Sequence, residues 1–297
     1  MLRRIQQPRA PMSTSDFAIH VDDLEISVRQ SCGKGMPLLL LHGSGASKDV
    51  FQRQFDSELA DIYQITAIDL PGHGQSDNAT QPDATYTIGG LAQVVDSVVS
   101  QLELSRPVVF GWSLGGHVAI ELASRRNDIA GLVLAGTPPV GRGALASLIG
   151  FHTRWDMLLA SKARFTARDA ERYMRLCFDQ SGSPEVLASI LRSDGNLRSN
   201  FLRSMLRGDG VDQKREVETN QIPIAMINGE NDPIVRRSYI ESIHYANLWR
   251  SACQSITGAS HAPFLEQPMA FNRLLHAFLK DVAIMPAVDG GRRAISA

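Results

Sequence analysis

Apolar and polar residues alternate through Phe17, Ile19 and Val21, and again through Leu24, Ile26 and Val28 beyond Asp22-Asp23. A period of two predicts two antiparallel strands joined by a tight turn. The pattern then changes. Leu38-Leu39-Leu40-Leu41 is a short, continuously apolar run ending just before a glycine turn, as expected of a strand buried on both faces of a parallel sheet. Comparable runs lie at Ile65–Leu70, Val108–Phe110, Leu132–Ala135 and Ile224–Ile227. Between them, Leu91, Val94, Val95, Val98, Val99 and Leu102 fall on one face of a helix. Strands alternating with helices predict an α/β fold with a mainly parallel sheet and the opening hairpin at its edge.

The alternation lapses from Thr137 to Thr219, where only helical patterns occur. Thr166-Ala167-Arg168-Asp169 begins one helix, and Ser183-Pro184-Glu185 caps another with proline at its first position. The expected organisation is a loose extension over residues 1–15, a core over 16–136, and a helical cap over 137–220. The core resumes over 221–284 and a loose tail covers 285–297. Met12 offers a second possible start. The cap would sit over the carboxyl edge of the sheet, where open α/β sheets hold their ligands.

Composition narrows the classes of function. The chain has 297 residues, with 30 Lys+Arg against 31 Asp+Glu. So balanced a charge supplies no field for nucleic acid, and none is expected as a partner. No apolar run approaches the roughly 18 residues that would suggest a membrane span. Cys32, Cys177 and Cys253 are odd in number and form no CxxC pair, which fits free thiols in a reducing compartment. The expectation is a soluble, cytoplasmic protein with no bound cofactor and a small-molecule partner. Oligomeric state is not legible.

The chemistry centres on Gly111-Trp112-Ser113-Leu114-Gly115-Gly116, which follows a buried run and opens an apolar helix. A nucleophile on so sharp a turn needs residues without side chains two positions before and after it. Serine is a weak nucleophile and needs a base, and that base needs an orienting acid. In chain order, the turn Asn228-Gly229-Glu230-Asn231-Asp232-Pro233 supplies the acid and Gly258-Ala259-Ser260-His261-Ala262-Pro263 the base. Asp232 is the preferred acid, with Glu230 its rival, and His261 the general base. No carboxylate follows the earlier strand at Ala135-Gly136-Thr137-Pro138. An oxyanion would be met by the backbone N–H of Leu114 and that of Ser44, in His42-Gly43-Ser44-Gly45. His117, one turn beyond Ser113, reads as a packing residue. No HxHxDH or HExxH spacing offers a metal ligand set.

These motifs, with Asp69-Leu70-Pro71-Gly72-His73-Gly74-Gln75-Ser76, resemble the α/β-hydrolase fold from about Leu24 to Val282. In that family the Asp69–Ser76 segment is a structural turn. Serine at 113 departs from the aspartate nucleophile of haloalkane dehalogenases and epoxide hydrolases. More narrowly, Phe110–His117, Gly136-Thr137-Pro138-Pro139-Val140, Asn247-Leu248-Trp249 and Gly258–Phe264 resemble the metal-free N-acyl-homoserine lactonases of this fold. The resemblance implies opening of a homoserine lactone ring by Ser113, a quorum-quenching reaction. The acid position in that group can be glutamate, whereas Asp232 stands here.

The resemblance also implies a role for a cap tyrosine, matched by Tyr173, as a hydroxyl donor to the lactone oxygen; packing on the cap is the competing reading. Trp112 either lines the substrate pocket or seals the elbow. Phe151, Trp155, Met157 and Leu158 either line an acyl channel or form cap core. Two other functions share these motifs: a general carboxylesterase or haloperoxidase-type perhydrolase, and a ligand receptor that keeps the triad but turns over slowly.

Overall fold

The structure is a computed structural model and describes residues 14–153 and 159–285. Trp155, Met157 and Leu158 lie outside the described residues, as do residues 1–13 and 286–297. Among the described residues, eight strands form one sheet in the order β1-β2-β4-β3-β5-β6-β7-β8. The strands are β1 (Thr14–Val21), β2 (Leu24–Ser31), β3 (Gly35–Leu41), β4 (Tyr63–Ile68), β5 (Val108–Trp112), β6 (Gly131–Ala135), β7 (Ile224–Gly229) and β8 (Gln254–Ile256). β1 and β2 pair antiparallel, with Phe17 opposite Val28, and β2 pairs antiparallel with β4. From β4 to β8 every pairing is parallel. The alternating hairpin is thus the edge and the continuous apolar runs are the centre, where Leu38–Leu41 and Val108–Phe110 are fully buried.

The helices used below are numbered in chain order. α1 (Ile88–Gln101) begins where Thr87 accepts a hydrogen bond from the Gly90 N–H, and it buries Leu91, Val94, Val95, Val98 and Val99. Each such side chain contributes about 1.5–3 kcal/mol relative to exposure. α2 (Leu114–Arg125) follows β5 directly and is buried along most of its length. Between β6 and β7 lie α3 (Ala144–Leu148), α4 (Ala167–Phe178), α5 (Pro184–Arg192), α6 (Gly195–Arg207) and α7 (Gln213–Thr219). α4 starts in a reciprocal capping box of Thr166 and Asp169, and Ser183 caps α5 ahead of Pro184. α8 (Pro268–Ala283) closes the fold, burying Phe271, Leu275, Phe278 and Leu279.

Among the described residues, no helix is long and apolar enough to cross a membrane. None of their His, Cys, Asp and Glu side chains gather in threes able to hold a metal ion.

Candidate active site

Ser113 stands between the end of β5 and the start of α2, at φ 55° and ψ −117°. That conformation costs a residue with a Cβ, and it persists only because neighbours over-determine it. The Ser113 N–H donates to the Ala135 carbonyl at 2.9 Å, tying the elbow to the end of β6. Its own carbonyl accepts from the Gly116 N–H and from Thr137 Oγ1. The glycines on either side are spaces: a Cβ on Gly115 would lie 2.2 Å from the Leu41 carbonyl oxygen. Sheet and helix therefore meet at backbone contact, and the Ser113 side chain is left partly exposed above them.

His261, only 1% exposed, donates or accepts through Nδ1 at 2.8 Å from Asp232 Oδ2. Asp232 spends its other oxygen on the Ile234 and Val235 N–H groups, at 2.8 and 3.0 Å. Burial pushes its carboxyl upward, but the adjoining imidazole and these hydrogen bonds outweigh burial and hold it below the usual range. An ionised Asp232 makes Nδ1 the protonated nitrogen and leaves Nε2 as the base. Glu230 is exposed, and the geometry thus pairs His261 with Asp232. Gly136, at φ +58°, makes room for the imidazole: a Cβ there would come within 2.6 Å of His261 Cε1. Glu266 secures the same loop by accepting from the Ser260 and Ala262 N–H groups at 2.6 and 2.9 Å. Among the described residues no hydrogen bond joins the Ser113 hydroxyl to His261. Such bonds are often long without substrate and tighten on engagement.

The Leu114 and Ser44 N–H groups find no acceptor among the described residues. Both residues line the same cavity as Ser113. The Ser44 loop is held from behind by two buried histidines. Gly45 N–H donates to His73 Nε2 at 3.1 Å, and Leu70 N–H donates to His42 Nε2 at 3.0 Å. Burial lowers both imidazoles, well below the ordinary value for His73, so each stays neutral and able to accept. The Asp69–Ser76 turn thereby braces the donors. Asp69 itself is buried against Lys48 Nζ at 2.8 Å.

The cavity measures about 390 Å³ and its walls are mainly apolar, with Leu148, Phe151, Leu176, Phe201 and Met205 among them. Tyr173 lines it, and its hydroxyl donates to the Ser44 carbonyl at 3.3 Å. Its proton is thus directed to the oxyanion loop, with burial raising its pKa. Trp112 is not part of the wall. It is buried beneath the site, donates from Nε1 to the His261 carbonyl at 2.8 Å, and packs against His261 and Phe264. Of the two roles open to it, sealing the elbow is the one its position fits. His117 does more than pack, because it lines the cavity. From sequence, His117 reads only as packing and His73 only as part of a structural turn, and Glu266 is not marked. Glu266, at the end of the turn that Pro263 opens, had a local signal; the other two act through distant partners.

The family model for the alpha/beta hydrolase family matches residues 38–274, and the chain belongs to that family. Among solved structures it is similar to N-acyl homoserine lactonase AidH complexed with N-butanoyl homoserine, at TM-score 0.89 and 36% identity, covering 92% of this chain and 98% of that one. Among curated proteins it is similar to pimeloyl-[acyl-carrier protein] methyl ester esterase of Xanthomonas campestris pv. campestris, 31% identical over 86% of this chain and 98% of that protein. It is also 27% identical to Protein ABHD8 of Mus musculus over 93% of this chain, which spans 62% of that longer protein. The family and these likenesses support hydrolytic activity of the ester or lactone type.

Proposed function

We propose that this protein opens the ring of N-acyl-homoserine lactones through an acyl-enzyme on Ser113, and so quenches quorum signals. The observation that supports it most is one arrangement: a strained serine, two unpaired N–H groups beside it, and a buried His261–Asp232 pair at a largely apolar cavity.

In this mechanism Ser113 Oγ attacks the ring carbonyl carbon while His261 Nε2 takes its proton. The N–H groups of Ser44 and Leu114 meet the oxyanion. The ring C–O bond then breaks, and His261 returns the proton to the departing alkoxide. Water, deprotonated by His261 Nε2, then attacks the acyl carbon, the ester bond to Ser113 Oγ breaks, and His261 returns the proton to Oγ as the carboxylate product leaves. Asp232 holds the imidazole and stabilises its charged form. Tyr173, through the Ser44 carbonyl, positions the oxyanion loop and meets the ring. The apolar wall takes the acyl chain. Three free cysteines fit a cytoplasmic site of action.

Incubation with N-hexanoyl homoserine lactone, followed by acidification, tests this reading. Ring opening gives a product that closes again in acid, and Ser113→Ala gives none. If p-nitrophenyl butyrate is hydrolysed while the lactone persists, the lactonase reading fails and a general carboxylesterase stands.

A further inference from the structure

His117 sits one helical turn beyond Ser113 on α2, and both line the cavity. The His117 N–H donates to the Ser113 carbonyl at 3.3 Å, so the two residues stand one turn apart. The ring is 3% exposed and lies between Phe151 and Phe201, with centroids 6.3 and 6.1 Å away. Gln213, at the start of α7, fixes its tautomer. Gln213 Nε2 donates to the His117 carbonyl at 3.2 Å, which turns Oε1 toward His117 Nδ1 at 2.7 Å. An amide oxygen only accepts, so Nδ1 carries the proton and Nε2 keeps a bare lone pair. Burial lowers the imidazole to about 4, so it stays neutral at ordinary pH. No described residue donates to Nε2. Of the other polar groups on the wall, Ser147 Oγ donates to the Met205 carbonyl and Arg198 to the Lys162 carbonyl and Ser193 Oγ, whereas Ser44 Oγ, in the oxyanion loop, finds no partner among the described residues.

We propose that His117 Nε2 is an acceptor for the acyl portion of the substrate, and that the enzyme selects acyl chains bearing a hydroxyl over chains without one. The proposal rests on the reading of Ser113 as nucleophile in this cavity. A hydroxyl near the amide, as in a 3-hydroxyacyl chain, donates to the lone pair. A 3-oxo group only accepts and sets acceptor against acceptor, and an unsubstituted chain leaves Nε2 desolvated and unpaired. The amide N–H is common to all N-acyl lactones, and were it to take the single lone pair of Nε2, no preference among the three chains would appear.

The test compares wild type with His117→Phe on hexanoyl, 3-hydroxyhexanoyl and 3-oxohexanoyl homoserine lactones. Wild type is expected to favour the 3-hydroxy compound in kcat/KM by about 10-fold, and the variant to bring all three within about twofold. No preference in wild type, a preference that survives the variant, or an equal loss on all three overturns the proposal. If no lactone is opened, the same comparison of p-nitrophenyl 3-hydroxybutyrate with p-nitrophenyl butyrate decides it, so failure of the lactonase reading is seen separately. Should His117→Phe not fold, nitrogen-15 NMR of histidine-labelled Ser113→Ala decides instead. A bare Nε2 that shifts on adding 3-hydroxyhexanoyl but not hexanoyl homoserine lactone supports the proposal. A protonated Nε2, or equal shifts with both, overturns it.

Discussion

Strain at the nucleophile predicts that loss of function and gain of stability coincide at one position. Ser113 occupies φ 55°, ψ −117°, a region that glycine enters freely and a residue with a Cβ does not. Such a conformation costs about 1–3 kcal/mol, while glycine in place of a residue with a Cβ loses about 0.5–1 kcal/mol through entropy. Ser113→Gly relieves the strain and Ser113→Ala keeps it, so the glycine variant is expected to be the more stable by about 1 kcal/mol. Unfolding entropy of about 2 cal/mol/K per residue, over 297 residues, makes that about 1.5–2 °C in Tm. Differential scanning calorimetry of the two variants reads the difference, and neither should hydrolyse p-nitrophenyl butyrate. An alanine variant as stable as the glycine one, or more so, refutes the strain assignment.

Three further outcomes are expected. Asp232→Asn keeps the fold but presents the wrong face of His261 for proton transfer, and kcat should fall about 10³–10⁴-fold; an unchanged kcat removes Asp232 from the mechanism. Gly136→Ala places a methyl within 2.6 Å of His261 Cε1 at a positive φ, so kcat should fall by at least about 10²-fold with the far-UV circular dichroism preserved. Wild-type activity there would show that the imidazole has room to move. His117 is held at about 4 by burial, against 6.5 when exposed. Between those values the unfolded chain binds a proton that the folded chain does not, so stability is lost as pH falls. The loss by pH 4.5 should reach about 2–3 kcal/mol from this group. Urea midpoints at pH 7 and pH 4.5 should therefore differ less in His117→Phe than in wild type, and an identical pH dependence contradicts the burial of a neutral imidazole.

Local pattern carried most of the fold. A strand buried on both faces must be continuously apolar, so Leu38–Leu41 and Val108–Phe110 announce the sheet centre, as the alternation around Phe17 and Ile26 announces its edge. The nucleophile was legible because its neighbours must be glycine, and the Leu41 carbonyl lying where a Gly115 Cβ would be shows why. Sequence could rank Asp232 above Glu230 but not separate them by contact. What separates them is that Asp232 folds one oxygen back on the Ile234 and Val235 N–H groups and offers the other to His261. The brace from His73 to Gly45 joins residues 28 apart, and the clamp from Gln213 to His117 residues 96 apart. Neither leaves a local trace, so His117 reads as packing and His73 as no more than part of a structural turn. Trp112 sits beside the nucleophile in sequence but under it in space, because β5 ends at Trp112 and the turn at Ser113 lifts the serine above the sheet.

The central claim is covalent chemistry at Ser113, and intact-protein mass spectrometry with peptide mapping reads it directly. Rapid acid quench of wild type with p-nitrophenyl butyrate should show one butyryl group on the peptide containing Ser113, and none in Ser113→Ala. With N-hexanoyl homoserine lactone the adduct should carry the mass of the whole lactone, since the leaving alcohol stays tethered. An adduct on another residue, or undiminished turnover by Ser113→Ala, contradicts the account.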